Sequence, residues 1–232
     1  MTEAALTTRD RIIRAAATLL AEGGRDAVST RAVSAAAGVQ APTIYRSFGD
    51  MQGLLDEVAS YGFASYLKAK TERALSDDPV VDLRSGWDLH VEFGVANPAF
   101  YTLMYGEPRP KSTRAAALRA QEILHMLVGR IAAAGRLLVD VERAAQMIHS
   151  ASSGVALSLI ATKPEDRDPE LSTRVREAIL AAITTDTATP PAEAGTASHA
   201  IALKASLPGA PSGLTGAEQA LLVQWLDRIA QA

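Results

Sequence analysis

The chain has 232 residues, 48% of them apolar and 21% charged, with a formal net charge of −3 and no cysteine. That length and apolar content suffice for one sizeable core or two small domains and exclude a disordered chain. The missing cysteines exclude disulfides, zinc fingers, iron–sulfur clusters and thiol catalysis.

Charge is unevenly spread. Residues 1–50 carry 6 arginines against 5 acids, whereas residues 51–232 carry 17 basic against 21 acidic side chains. Any contact with nucleic acid is therefore expected to be local and N-terminal, with an acidic body held away from phosphates. Arg9, Asp10, Arg11 and Arg14 fall in the first turns, which argues against a secretory leader, so a cytoplasmic home is expected.

Residues 1–7 read as a loose arm. Thr7 or Thr8 caps a first helix expected to run to about Ala21, where Ile12, Ile13, Ala16, Leu19 and Leu20 make one apolar stripe. Gly23-Gly24 ends it. The stretch Ser29–Asp50 then reads as helix, tight turn and short second helix. Ser29 or Thr30 is a cap, and Ala32, Val33, Ala36 and Ala37 form a small apolar face. Gly38 supplies the left-handed turn, Pro42 suits a helix start, and Ile44 and Phe48 share a face. Such a pair is a helix-turn-helix, whose second helix enters the major groove of DNA. No acidic residue occurs from Ala27 to Gly49, while Arg31 and Arg46 do, as approach to a phosphate backbone requires.

The segments TRAVSAAAGV and PTIYRSFGD, followed by Leu54-Leu55, resemble the TetR family of bacterial repressors over the first quarter of the chain. The resemblance implies that Gln40, Ala41 and Pro42 face base edges, and that Thr30, Arg31, Thr43, Tyr45 and Arg46 bind phosphates and set the register. The family usually carries a lysine after the turn, where this chain has Met51; the phosphate contact there is expected to fall to the helix N-terminus.

A long helix is expected from Met51 to about Leu75, with Met51, Leu54, Leu55, Val58 and Tyr61 inward, linking the DNA-reading unit to the body. Ser76-Asp77-Asp78-Pro79 stops it. Helices follow over roughly 80–95, 98–105, 111–134, 141–162 and 168–185, with no alternating strand pattern. The uncharged run Ala144–Thr162 holds Gln146, His149 and four serines, so it reads as a buried helix and not as a bilayer span. Trp87, Phe93, Phe100, Tyr101 and Tyr105, joined by His90, Met104, Met126 and His149, are the candidate lining of an effector cavity for an apolar or aromatic molecule. The family likeness supports that reading, and Asn97-Pro-Ala-Phe-Tyr-x-Leu-Met-Tyr-Gly resembles one subgroup of its ligand domains. The small side chains of 141–162, and Leu171, Val175, Ile179 and Ile183 after them, suit a four-helix interface between two subunits.

Residues 186–197, with Pro190-Pro191, read as a linker. A short helix is expected over Ala200–Leu207. Thr215-Gly-Ala-Glu218 is a capping box ahead of a last helix bearing Leu221, Leu222, Trp225, Leu226 and Ile229, expected to be packed so that Trp225 is covered.

No two of the four histidines stand at metal-ligand spacing, and neither a glycine-rich phosphate loop nor a Gly-x-Ser-x-Gly elbow occurs. The expectation is thus an all-α protein, not an enzyme, needing no cofactor or metal. A three-helix helix-turn-helix domain over 1–50 precedes a helical effector-binding and dimerisation domain over 51–185 and a linker with a helical extension over 186–232. Its partners are double-stranded DNA, a small hydrophobic effector and a second copy, with no membrane. Two other readings use the same helices: a helical small-molecule binder without DNA binding, and an interaction module whose last helix docks a partner.

Overall fold

A computed structural model describes residues 6–72, 74–106, 115–185, 196–207 and 213–230. Residues 1–5 of the 1–7 arm, the start of the 111–134 helix and most of the 186–197 linker lie outside these. The described residues form α1 (Thr8–Ala27), α2 (Thr30–Ala37), α3 (Ala41–Phe48), α4 (Met51–Glu72), α5 (Pro79–Ala96), α6 (Pro98–Tyr101), a π-helical turn (Thr102–Gly106), α7 (Ala115–Ala133), α8 (Val141–Ala161), α9 (Leu171–Ile183), α10 (Thr196–Ser206) and α11 (Gly216–Ala230). No described helix is long and apolar enough to cross a membrane.

Two compact units cut across chain order. One draws on Met1–Glu72, Glu92–Ala120 and Ala156–Lys163, the other on Arg73–Val91, Gln121–Val155 and Pro164–Ala232. In the first, α1 packs on α2 and α4, α3 packs on α2 and α4, and α6 packs on both α1 and α4. Thr7 and Asp10 form a capping box that starts α1, each bonded to the other's backbone N–H. Helix α1 runs past the expected stop to Ala27, but Gly24 breaks it with φ +69°, and the last turn resumes beyond the kink. Ile12, Ala16, Leu20, Val33 and Ile44 fill the core between the first three helices.

Helix α4 buries Leu54, Leu55, Val58, Ala59, Phe63 and Tyr66, while Tyr61, expected inside, stands 48% exposed. At about 3.6 residues per turn that stripe is centred near Gly62, and position 61 falls to its side. Gly62 is where Phe100 of α6 seats: a Cβ there would lie 2.1 Å from the ring.

In the second unit, hydrogen-bonded polar groups anchor the start of α5. Asp78 accepts from the Val80 N–H and from Arg136, both within 2.9 Å. Burial pushes the Asp82 carboxyl upward, but the Ser76 N–H and the Arg130 guanidinium outweigh it and hold it below the usual range. Arg84 grips Glu177 of α9 with two nitrogens, Arg176 bonds Glu177 and Asp88, and the Trp87 indole donates to Ser172 Oγ at 3.0 Å. An isolated antiparallel bridge joins Leu137 and Thr184.

Helix α10 starts at Thr196, earlier than expected, and pairs with α11. The capping box holds, with Thr215 N–H donating to Glu218 at 2.8 Å. Ala200, Leu207 and Leu226 form the seam, flanked by Leu222, Val223 and Ala230. Trp225, expected to be covered, is 52% exposed in the single chain, so α10 does not cover it. The face of α11 that meets α10 runs through Leu222, Leu226 and Ala230, and one residue along the helix turns Trp225 away from it.

Candidate nucleic-acid interface

Ser29 starts α2 by accepting the Ala32 N–H at 3.2 Å. Gly38 ends it in the left-handed region at φ +64°, where the Val39 N–H returns to the Ser34 carbonyl at 3.0 Å. Only a residue without Cβ takes that turn at no cost. Gln40 sits at the N-cap of α3, yet its side chain makes no capping bond, so its amide projects outward and is exposed. Neither α2 nor α3 has an acid in its first turn, which leaves the positive ends of both helix dipoles uncancelled.

One buried residue, Ile44, sets the depth of α3, and around it Pro42, Tyr45 and Arg46 are exposed while Ala41 and Thr43 are half-buried. Arg31 of α2 is exposed as well. The Tyr45 hydroxyl lies 3.1 Å from Thr30 Oγ1. These two hydroxyls, 15 residues apart in the chain, make one polar spot bridging the start of α2 and the middle of α3. All eight residues singled out for DNA contact thus belong to this two-helix segment, and the exposed ones leave side chains available to a ligand.

The far end of α3 holds what sequence reasoning missed. Arg9 of α1 donates to the Ser47 carbonyl at 2.8 Å, pairs with Glu57 at 2.8 Å, and lies over the Phe48 ring at 4.5 Å. Its partners are 38 to 48 positions away, beyond any local pattern. Gly53 was missed too: a Cβ there would come within 2.1 Å of the Phe48 carbonyl oxygen, so α3 and α4 join as closely as they do only because this residue has none. At the start of α4, the expected phosphate seat, an acid stands at the helix end. Asp50 accepts the Gly53 N–H at 2.7 Å, and that carboxylate occupies the helix end and repels an anion there.

The residues singled out for an effector divide between the units. Phe93, Phe100, Tyr101, Met104 and Tyr105 belong to the first. There Phe93 meets Phe63 and Tyr66 of α4 at 4.7 and 4.9 Å between ring centroids, and Tyr105 meets Phe63 at 5.8 Å and Tyr101 at 4.9 Å. Phe63 and Tyr66 are additions that the sequence reading placed only on a linking helix. Burial pushes the Tyr105 hydroxyl up to about 12 and Tyr66 well above its ordinary value, so both stay protonated. Met104 and Tyr105 lie within the π-helical turn, a feature that often marks functional sites. Trp87 and His90 are buried in the second unit. Met126 is 44% exposed and His149 is exposed, because Leu127, Val128 and Ile148 take the inward faces of their helices.

Residues 12–58 match the family model described as "Bacterial regulatory proteins, tetR family". No protein of curated function matches the chain. Among solved structures, the chain is similar to a Rhodococcus protein of unknown function, with TM-score 0.65 and 21% identity over 80% of this chain and 100% of that one. It is also similar to the TetR family transcriptional regulator PfmR of Thermus thermophilus, with TM-score 0.52 and 25% identity over 75% and 96%. A third likeness is to NalD of Pseudomonas aeruginosa, the secondary repressor of the MexAB-OprM multidrug efflux pump, with TM-score 0.56 and 21% identity over 78% and 98%.

Proposed function

By its N-terminal domain the chain belongs to the TetR family of bacterial DNA-binding transcriptional regulators, and on that premise we propose that it is a homodimeric repressor, released from a palindromic operator by a small hydrophobic effector. The observation that carries the DNA-binding half is the outward projection of Gln40, Pro42 and Tyr45 from a short helix anchored by Ile44 in an acid-free segment. Gln40 pairs with adenine in the major groove, and the Ala41 methyl and Pro42 ring pack on thymine methyls. The Thr30–Tyr45 hydroxyl pair, Thr43, Arg31 and Arg46 hold phosphates and fix the register.

Residues 1–50 are then the reading head, 51–185 the effector and dimer domain, and 186–232 an extension. The half-buried Leu171, Val175 and Ile179 of α9, with the small side chains of α8, are the proposed dimer face. A two-fold axis brings two heads to half-sites about 34 Å apart. The effector's proposed seat is the aromatic set of the first unit, because Phe63 and Tyr66 belong to α4, and α6 touches both α1 and α4. A molecule wedged among those rings acts on the two helices that carry the head. It releases DNA only if it binds the mis-spaced dimer more tightly than the DNA-bound one, and couplings of about 1–3 kcal/mol are the usual scale.

The test is a mobility-shift titration against palindromes flanking the gene, with and without hydrophobic compounds that raise the melting temperature. A shifted band is expected for one palindrome, abolished by at least one stabilising compound. Gln40→Ala should relax preference at one base pair per half-site while Arg31→Ala weakens all sequences alike. A protein that retards no duplex would end the DNA-binding reading, and one whose band no compound disturbs would end the effector reading.

A further inference from the structure

We infer that Arg9 is a positioning residue for DNA recognition: it fixes the C-terminal end of α3 without touching DNA itself. The inference rests on the regulator reading above. Arg9 stands in the first turn of α1, Ser47 and Phe48 are the last two residues of α3, and Glu57 is on α4. One guanidinium therefore joins three helices, through Nη1 to the Ser47 carbonyl at 2.8 Å, Nη2 to Glu57 Oε1 at 2.8 Å, and its Cζ over the Phe48 ring at 4.5 Å from the centroid.

The last carbonyls of a helix have no acceptor role within it. In α3 the Tyr45 carbonyl takes the Gly49 N–H, and the Ser47 carbonyl takes Arg9. A cation at that end also offsets the negative pole of the helix dipole. Ile44 fixes how deep α3 sits, and its C-terminal end is held by the close approach of α4 at Gly53 and by Arg9. At eight residues, α3 is about 12 Å long, so a swing at Phe48 produces a comparable swing at Gln40. Arg9 restrains that swing from the end opposite the base-facing residues. Lysine replaces it only in part, because a compact ammonium lacks the planar fork whose separate nitrogens reach the carbonyl and the carboxylate.

The experiment uses the full chain and a duplex that the wild-type protein selects from a random pool, compared with a scrambled duplex of equal length. Affinity is read by fluorescence anisotropy over a range of sodium chloride, and melting temperature alongside. Arg9→Ala is expected to lose about tenfold on the selected duplex and far less on the scrambled one. The slope of log affinity against log salt should not change, since no phosphate contact is removed. Arg9→Lys should recover only part of the loss, and Glu57→Gln should show a smaller loss with the same selectivity. If Arg9→Ala does not fold, those two variants carry the comparison. Equal loss on both duplexes with a slope smaller by about one would make Arg9 a phosphate contact; full affinity in both Arg9→Lys and Glu57→Gln would give it no role. Either result overturns the inference. A wild-type protein that selects no duplex overturns instead the reading on which it rests.

Discussion

Ile12, Val33 and Ile44 at the N-terminal end are sealed from solvent, whereas Leu221, Trp225 and Ile229 at the C-terminal end stand in it. Both regions are short helices with apolar residues at helical spacing, and both begin with sound caps. The difference lies in how many helices meet. Around α3, helices α2 and α4 pack on its inner side and an arginine of α1 holds its end, so Ile44 is covered, and Pro42, Tyr45 and Arg46 stay outside, available for recognition. In the C-terminal hairpin, α10 claims the Leu226 face of α11, and the Trp225 face is left over. Helical spacing thus says which residues share a side, while the number of packing neighbours says which sides are used.

The sharpest way to break this comparison is at Gly53, where the head's closeness is concentrated. Gly53→Val should cost about 3 kcal/mol, since the new carbons meet a backbone oxygen that cannot rotate away; an unchanged urea midpoint would mean that α4 slides off α3 freely. Next comes the hairpin. Leu226→Ala should lose about 2 kcal/mol of local stability, read as faster amide exchange in α10, while Trp225→Ala should change it by less than about 0.5 kcal/mol. The reverse order would show that the Trp225 face is covered in solution.

A smaller effect is expected at the recognition surface. Tyr45→Phe removes the hydroxyl that meets Thr30 and should lower DNA affinity by about 1 kcal/mol on every sequence, with little change in melting temperature. Stability lost with affinity intact would recast the hydroxyl pair as a fold element. The smallest effect concerns pH in the second unit. The Arg84 guanidinium, with Arg176, holds the Glu177 carboxyl below its ordinary value. A depressed folded value means that this contribution is complete above the ordinary glutamate range and drains away as pH falls through the folded one. Thermal melts at falling pH should show a gentler acid loss for Glu177→Gln than for the wild type; parallel curves would remove Glu177 from the account.

Much of the head was legible because its signals are local. A cap, a glycine turn and a proline start all lie between Ser29 and Pro42, and each has a backbone reason to be where it is. Gln40 and Tyr45 stay exposed because Ile44 alone carries the inward face of α3. At the start of α4 the sequence did not reveal that Asp50 would turn onto the Gly53 N–H, because that depends on side-chain geometry. Tyr61 was misread because the buried stripe of α4 continues to Phe63 and Tyr66, shifting its centre. Met126 and His149 were drawn into a lining by residue type, although their neighbours in the helix take the inward side.

The amino-acid order alone determined the helices, their breaks, the turn at Gly38 and the family to which the first quarter belongs, because each depends on contacts within a few residues. Tertiary structure alone decided that Arg9 grips the end of α3, that Gly53 admits α4 against it, that Phe63 and Tyr66 join the aromatic set, and that Trp225 faces outward. Those facts depend on which chain segments meet across dozens of positions, and an apolar period or a single charged residue carries no record of its distant neighbour.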